Sequence, residues 1–241
     1  MPRYTLSLLP KSRGPRSSES IHRPSLLPVA RGCIMKNFIS GLALLGLILW
    51  SPLADATSPM ATLKGYITKV LDVFQDSALQ GDAHKAVRWE RLRAVTEPMF
   101  AEQEIARRAL ARHWSRFTAA QQQQFISLFH RLLERVYMDR ILSYSYDNEQ
   151  VVYERQIMLA ANRAEVETKI ITRSQQIPVA FRLISVAGTW KVYDAVIEGV
   201  SLVANYRSQF NEVLAQKSPK ELLHILRQKM ERLGQRVEKP S

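Results

Sequence analysis

The chain is poor in the residues that most binding and catalytic chemistries need. It has a single cysteine, Cys33, among 241 residues. That excludes a disulfide framework and any multi-cysteine zinc or iron–sulfur site. Only 9 residues are glycine, and no Gly-rich phosphate loop is present. The nearest approach to a nucleophile elbow is Gly199-Val200-Ser201, which lacks the second glycine. Acidic residues are also in short supply: 22 Asp and Glu stand against 34 Lys and Arg, a formal net charge of +12. No apolar run reaches the roughly 20 residues that a membrane-spanning helix requires.

The longest apolar run, Phe38–Trp50, has 13 residues, follows Lys36 and leads to Ala54-Asp55-Ala56. A positive start, a short apolar centre and small residues around one position describe a secretory signal peptide over residues 35–56, with cleavage after Ala56. Residues 1–34, with five prolines and no apolar period, are expected to be an over-extended start preceding a true Met35. Residues 57–241 then form one domain. They hold 27 of the basic and 20 of the acidic residues, a net charge of +7, and no cysteine. A cysteine-free mature chain fits an oxidising compartment.

The mature chain reads as helices, then strands, then helices. Leu63, Ile67, Val70, Leu71 and Phe74 form a helical stripe that Gly81 stops. A more polar helix is predicted over Ala83–Val95 and another over Phe100–Trp114. Thr118-Ala119-Ala120-Gln121 is a capping box opening a long helix with Phe125, Leu128, Phe129, Leu132, Leu133, Val136, Tyr137 and Ile141 at helical spacing. Four strands follow, about Gln150–Ala160, Arg163–Arg173, Ile177–Ala187 and Thr189–Gly199. Short connections between them predict an antiparallel meander. The second strand alternates Ala164, Val166, Thr168 and Ile170 with Glu165, Glu167 and Lys169. The third and fourth are apolar on both sides, so they should be covered on both faces or curl strongly. A helix from Ser201 and a last one opened by Ser218-Pro219-Lys220-Glu221 complete the chain. The fold class expected is α+β, with helices on a small twisted four-stranded antiparallel sheet.

Catalytic chemistry finds little support. His84, His113, His130 and His224 fall on separate predicted helices without metal-ligand spacing. Asp194 and Glu198 share a strand face by parity and are the one carboxylate pair worth weighing as acid and base. Their alternative is structural, with backbone bonds or pairing to Arg182 or Arg207. Arginines in the first half, such as Arg88, Arg91, Arg107 and Arg112, alternate with Glu90, Glu97, Glu102 and Glu104. That is a salt-bridged helical surface rather than a nucleic-acid face, and no nucleic-acid partner is expected.

The segment WKVYDAVIEGVSLVANYRSQF, Trp190–Phe210, closely resembles the signature of the MlaC family, also called toluene-tolerance proteins. Arg112-His113-Trp114 and Thr118–Phe129 resemble the family's middle region, and the likeness extends over roughly Leu63–Leu233. Ala195 and Ala204 depart from the bulkier or polar residues expected there. The resemblance implies a periplasmic phospholipid carrier whose helices and sheet enclose an apolar cavity for acyl chains. It implies two partners: an outer-membrane lipoprotein–porin complex and an inner-membrane ABC transporter with an MCE-domain subunit. It implies a part in outer-membrane lipid asymmetry, with a hopanoid-associated lipid protein as the variant within the family. No catalytic residue, cofactor or metal is expected, and the carrier is expected to be a monomer. The competing readings are a small pocket enzyme using Asp194 and Glu198, and an envelope adaptor with a filled core.

The cavity-lining residues expected are Tyr137 and Ile141 from the long helix, Val166 and Ile170 from the second strand, and Phe181 and Leu183 from the third. Val192 and Val196 from the fourth strand join them, with Val200, Leu202, Val203 and Tyr206 from the turn and helix beyond. Arg207 is a candidate for a lipid phosphate, as a bidentate donor.

Overall fold

The computed structural model describes residues 58–143 and 150–237. The leader and signal-peptide expectations fall on residues 1–57, outside the described residues. So do the side chains of 138–143, Ile141 among them.

Ser58 opens α1 (Pro59–Gln75): its Oγ accepts the Ala61 N–H at 3.1 Å, and Pro59 occupies the first helical position. One end of α1 lays Leu63 against the sheet, fully buried with Met60, Tyr66 and Ile67 around it. The other end sets Val70, Val73 and Phe74 against Leu92 and Trp89 of α2 (Lys85–Thr96) in a small core of its own. Leu92 is the one α2 residue that is buried.

The third predicted helix is shorter than its pattern. α3 (Glu102–Leu110) stops where Ala111 takes a positive φ of 45°, and a 3-10 stretch carries the chain over Ala111–Arg116. The long α4 (Ala119–Ser143) opens on the expected reciprocal cap. Gln121 N–H donates to Thr118 Oγ1 at 3.3 Å, and Thr118 N–H donates to Gln121 Oε1 at 3.0 Å.

The sheet has five strands rather than the expected four, in the order of the chain and antiparallel throughout: β1 (Gln150–Ala160), β2 (Arg163–Ile171), β3 (Gln176–Val186), β4 (Thr189–Ile197) and β5 (Val200–Ser201). The extra strand exists because Glu198 and Gly199 both have positive φ, 50° and 80°. That is a two-residue turn whose twist suits a hairpin, and it folds Val200-Ser201 back on Val196-Ile197. Ala187-Gly188 makes the same kind of turn between β3 and β4.

β2 alternates as its sequence predicts. Ala164, Val166 and Thr168 are buried. On the other face Glu167 meets Arg155, Lys169 meets Glu154 and Glu165 meets Arg182, at 2.8, 2.6 and 2.8 Å. β4 is different. Arg182 pairs with Asp194 but Leu183 pairs with Val192, so Tyr193 is an extra residue. This bulge leaves Val192, Tyr193 and Asp194 buried in succession.

α5 (Leu202–Leu214) and α6 (Pro219–Val237) close the fold. Ser218 Oγ accepts from Glu221 N–H, and Glu221 Oε2 accepts from Ser218 N–H. Beside the small core at Leu92, two larger buried clusters result. The larger joins α3, α4, α5, α6 and Tyr193 through the rings of Phe125, Phe129, Tyr206 and Phe210. The smaller lies between α1 and the sheet, around Leu63, Val166, Leu183, Trp190 and Val192. Phe100 packs against both.

Candidate functional site

Between these clusters is a cavity of about 240 Å³. Phe181, Val192 and Ala195 form its sheet wall; Leu202, Val203 and Tyr206 of α5 and Phe129, Leu133 and Tyr137 of α4 form its helical walls. Phe100, Ile105 and Tyr193 fill in between them. Apolar and aromatic groups dominate this lining, so the interior suits a hydrocarbon guest.

The polar groups gather where the end of α2 meets α4. Arg93, Thr96 and Glu97 come from the α2 side, and His130 and Glu134 are one turn apart on α4. Arg93 and Glu97 are exposed, which makes this end the mouth. An ion pair crosses it, Arg93 Nε to Glu134 Oε1 at 3.1 Å, and His130 Nδ1 lies 3.4 Å from Glu102 Oε1. Outside the lining, the Arg135 guanidinium sits over the Trp89 ring, 5.7 Å from its centroid.

Asp194 is the buried polar group of the opposite wall. Its Oδ1 accepts the Val203 N–H at 3.1 Å; its Oδ2 accepts Ser201 Oγ–H at 2.6 Å and Arg182 Nη1–H at 3.3 Å. Ser201 Oγ in turn accepts the Ala204 N–H at 2.9 Å. These bonds satisfy the first N–H groups of α5, so Asp194 fixes the helix whose first turn supplies Leu202 and Val203. The Arg182 pKa is raised, first by its hydrogen bond to Glu165 and further by the charge of Asp194. Glu198 stands exposed in the β4–β5 turn. The two carboxylates therefore do not converge as an acid/base pair, and the pairing with Arg182 is the one realised.

Of the residues expected to line a cavity, Tyr137, Phe181, Val192, Leu202, Val203 and Tyr206 come together around this one. Val166 and Leu183 are sealed in the smaller core beneath α1. Ile170, Val196 and Val200 are half-buried outside the lining, and Arg207 is exposed on α5 away from it. The bulge at Tyr193 accounts for Val196. Strict alternation puts Val192 and Val196 on one face, but the extra residue reverses the parity, so Ala195 faces the cavity instead. Phe129 and Leu133 were legible: they precede Tyr137 by eight and four residues on the stripe of α4. The mouth residues of α2 carry no such periodic signal.

Among the described residues no group of three or more His, Cys, Asp or Glu side chains is placed to hold a metal ion. No described helix is long and apolar enough to cross a membrane.

Comparison with known proteins points to one group. The chain is 24% identical over 161 residues to toluene tolerance protein ttg2D of Pseudomonas putida, covering 66% of this chain and 74% of that one. It shares its fold with a solved structure of a phospholipid-binding protein from Ralstonia solanacearum in complex with a phospholipid. That match has a TM-score of 0.63 at 24% sequence identity and covers 75% of this chain and 99% of the other. The family model described as MlaC protein matches residues 64–228. With more than half its length inside that match, the chain belongs to the MlaC family.

Proposed function

We propose that this protein is a periplasmic lipid carrier. It holds the acyl chains of a phospholipid in the cavity between sheet, α4 and α5, and passes the lipid between an outer-membrane lipoprotein–porin complex and an inner-membrane ABC transporter with an MCE-domain subunit. Its role is the maintenance of outer-membrane lipid asymmetry. The observation that carries this reading is the apolar void left between two packed clusters, with a charged mouth. Membership of the MlaC family and the phospholipid bound by the Ralstonia solanacearum relative support it.

The energetics ask for no catalysis. Exposing about thirty methylenes to water costs on the order of 24 kcal/mol at ~0.8 kcal/mol each, so a lipid leaving a bilayer must be enclosed. Lipid already in a bilayer has that energy, so loading is close to neutral and direction comes from the partners. Asp194, the buried carboxylate beside the cavity, has both oxygens committed to α5 and Arg182, which argues for a carrier over an enzyme.

The test is lipid extraction and mass spectrometry of protein purified from the periplasm. A two-chain phospholipid at near one per protein is expected; a triterpenoid lipid in its place would assign the carrier to hopanoids. Leu202→Asp sets a carboxyl group in the apolar lining; even protonated, it costs about 1–3 kcal/mol, which reads as at least roughly 10-fold weaker retention. Folded wild-type protein that carries no lipid would overturn the reading.

A further inference from the structure

We infer that the cavity mouth selects zwitterionic phospholipids whose headgroup carries a primary ammonium beside the phosphate, with Arg93 receiving the phosphate and Glu134 and Glu97 the ammonium. This deepens the carrier reading and rests on it.

The protein as a whole is strongly basic, yet its mouth is not: one guanidinium and one imidazole share it with two carboxylates, Glu97 and Glu134. His130 is itself directed at a further carboxylate, Glu102. A basic surface would favour anionic lipid; this mouth does not add to that pull.

Burial sharpens the choice. Arg93 is half-exposed, at 46%, whereas Glu134 is only 12% exposed, and Arg93 is the cation paired with it among the described residues. A headgroup phosphate entering here competes with Glu134 for the guanidinium, whose planar fork suits phosphate oxygens. If the headgroup brings only negative charge, the swap leaves a largely buried carboxylate without its cation, the costly outcome when one partner of a buried pair is removed. A headgroup that carries an ammonium re-pairs it. The phosphate takes Arg93 and the ammonium takes Glu134, so the number of opposite-charge contacts is conserved or rises. Glu97, one turn beyond Arg93 on the rim, offers a second acceptor. A primary ammonium has three N–H donors for these oxygens; a quaternary one has none.

Arg93 also explains why Arg207 is not needed for the phosphate: Arg207 is exposed on α5 outside the lining, and Arg93 is the arginine at the mouth.

The experiment loads delipidated full-length mature protein from vesicles of equimolar phosphatidylethanolamine and phosphatidylglycerol, then measures both lipids in the re-isolated protein by mass spectrometry. Wild type is expected to enrich the ethanolamine lipid by about threefold to fivefold, the scale of one partly screened charge pair. The double variant Glu97→Gln/Glu134→Gln is expected to bring the ratio to about even or below. The ratio is read within one sample, so a variant that loads less lipid still reports it. An even ratio in wild type, or enrichment unchanged in the double variant, overturns the headgroup assignment while leaving the carrier standing. Wild type that takes up neither lipid overturns the carrier reading, and the assignment with it.

Discussion

Asp194→Ala tests how the cavity wall is held. The carboxylate receives three hydrogen bonds, from Val203 N–H at 3.1 Å, Ser201 Oγ–H at 2.6 Å and Arg182 Nη1–H at 3.3 Å. Losing the bond to the first turn of α5 costs about 1 kcal/mol, as for a helix cap. Leaving the partly buried Ser201 hydroxyl short of its acceptor costs about 1 kcal/mol more. Arg182 keeps Glu165 at 2.8 Å and its side chain is about one-third exposed, so its loss is limited to roughly 1 kcal/mol. The expected destabilisation is therefore about 3 kcal/mol, against a total of some 5–15 kcal/mol for a typical domain. With a urea m-value of about 2 kcal/mol/M, the unfolding midpoint should fall by about 1.5 M. Asp194→Asn keeps a carbonyl for the Val203 N–H and should lose roughly half as much. Lipid retention should fall in the alanine variant, because Leu202 and Val203 stand on the turn that Asp194 secures. A midpoint shift equivalent to less than about 1 kcal/mol, within the ordinary run of substitutions, would refute the anchoring role.

Two further outcomes follow from the core and from one histidine. Phe129 is 1% exposed, and its ring meets those of Phe125, Tyr206 and Phe210 at centroid distances of 5.4, 5.1 and 5.2 Å. Phe129→Ala should cost about 3–5 kcal/mol in urea unfolding, and a loss below about 2 kcal/mol would mean that the neighbouring rings collapse into the gap. His113 is buried, and its pKa lies below the usual 6.5, first because burial disfavours the charged ring and then because Arg116 and Arg112 repel it. The unfolded chain therefore binds a proton more readily than the folded one. The contribution of His113 is fully present above pH 6.5 and is lost as pH falls through the lowered folded value. Urea midpoints between about pH 5 and about pH 7.5 should rise less steeply in His113→Gln than in wild type, and equal slopes would refute the assignment.

The helices were legible where local chemistry decides them. Ser218-Pro219-Lys220-Glu221 and Thr118–Gln121 announce their helices through side chains that bond their own backbone, and both caps form as written. Strand β2 was equally plain, because a two-residue period with charges on one face permits a single orientation. Ala111 ends α3 through a backbone angle that a run of helix-forming residues does not announce. β5 was missed because two residues after a tight turn resemble the start of the following helix. The deepest loss was at Tyr193. One inserted residue reverses the facing of everything after it on β4, and no hydrophobic pattern marks an insertion when both faces are apolar. Residues of the site far apart in sequence, such as Arg93 and Glu134, become neighbours only through the packing of α2 on α4.

The division of the interior has a mechanical consequence. Each cluster is consolidated by its own contacts, the aromatic rings around Phe129 in one and Leu63 against Val166 and Leu183 in the other, with Phe100 packed against both. A void of about 240 Å³ is modest beside the roughly 300–1,000 Å³ of ligand pockets. The two clusters are nonetheless tied together at Phe100 and along β4, where Val192 belongs to one and Tyr193 to the other. A guest larger than the void must therefore displace lining side chains, and Leu133, Tyr137, Phe181 and Leu202 are the partly buried ones among them, so the give lies in side chains and neither core has to come apart.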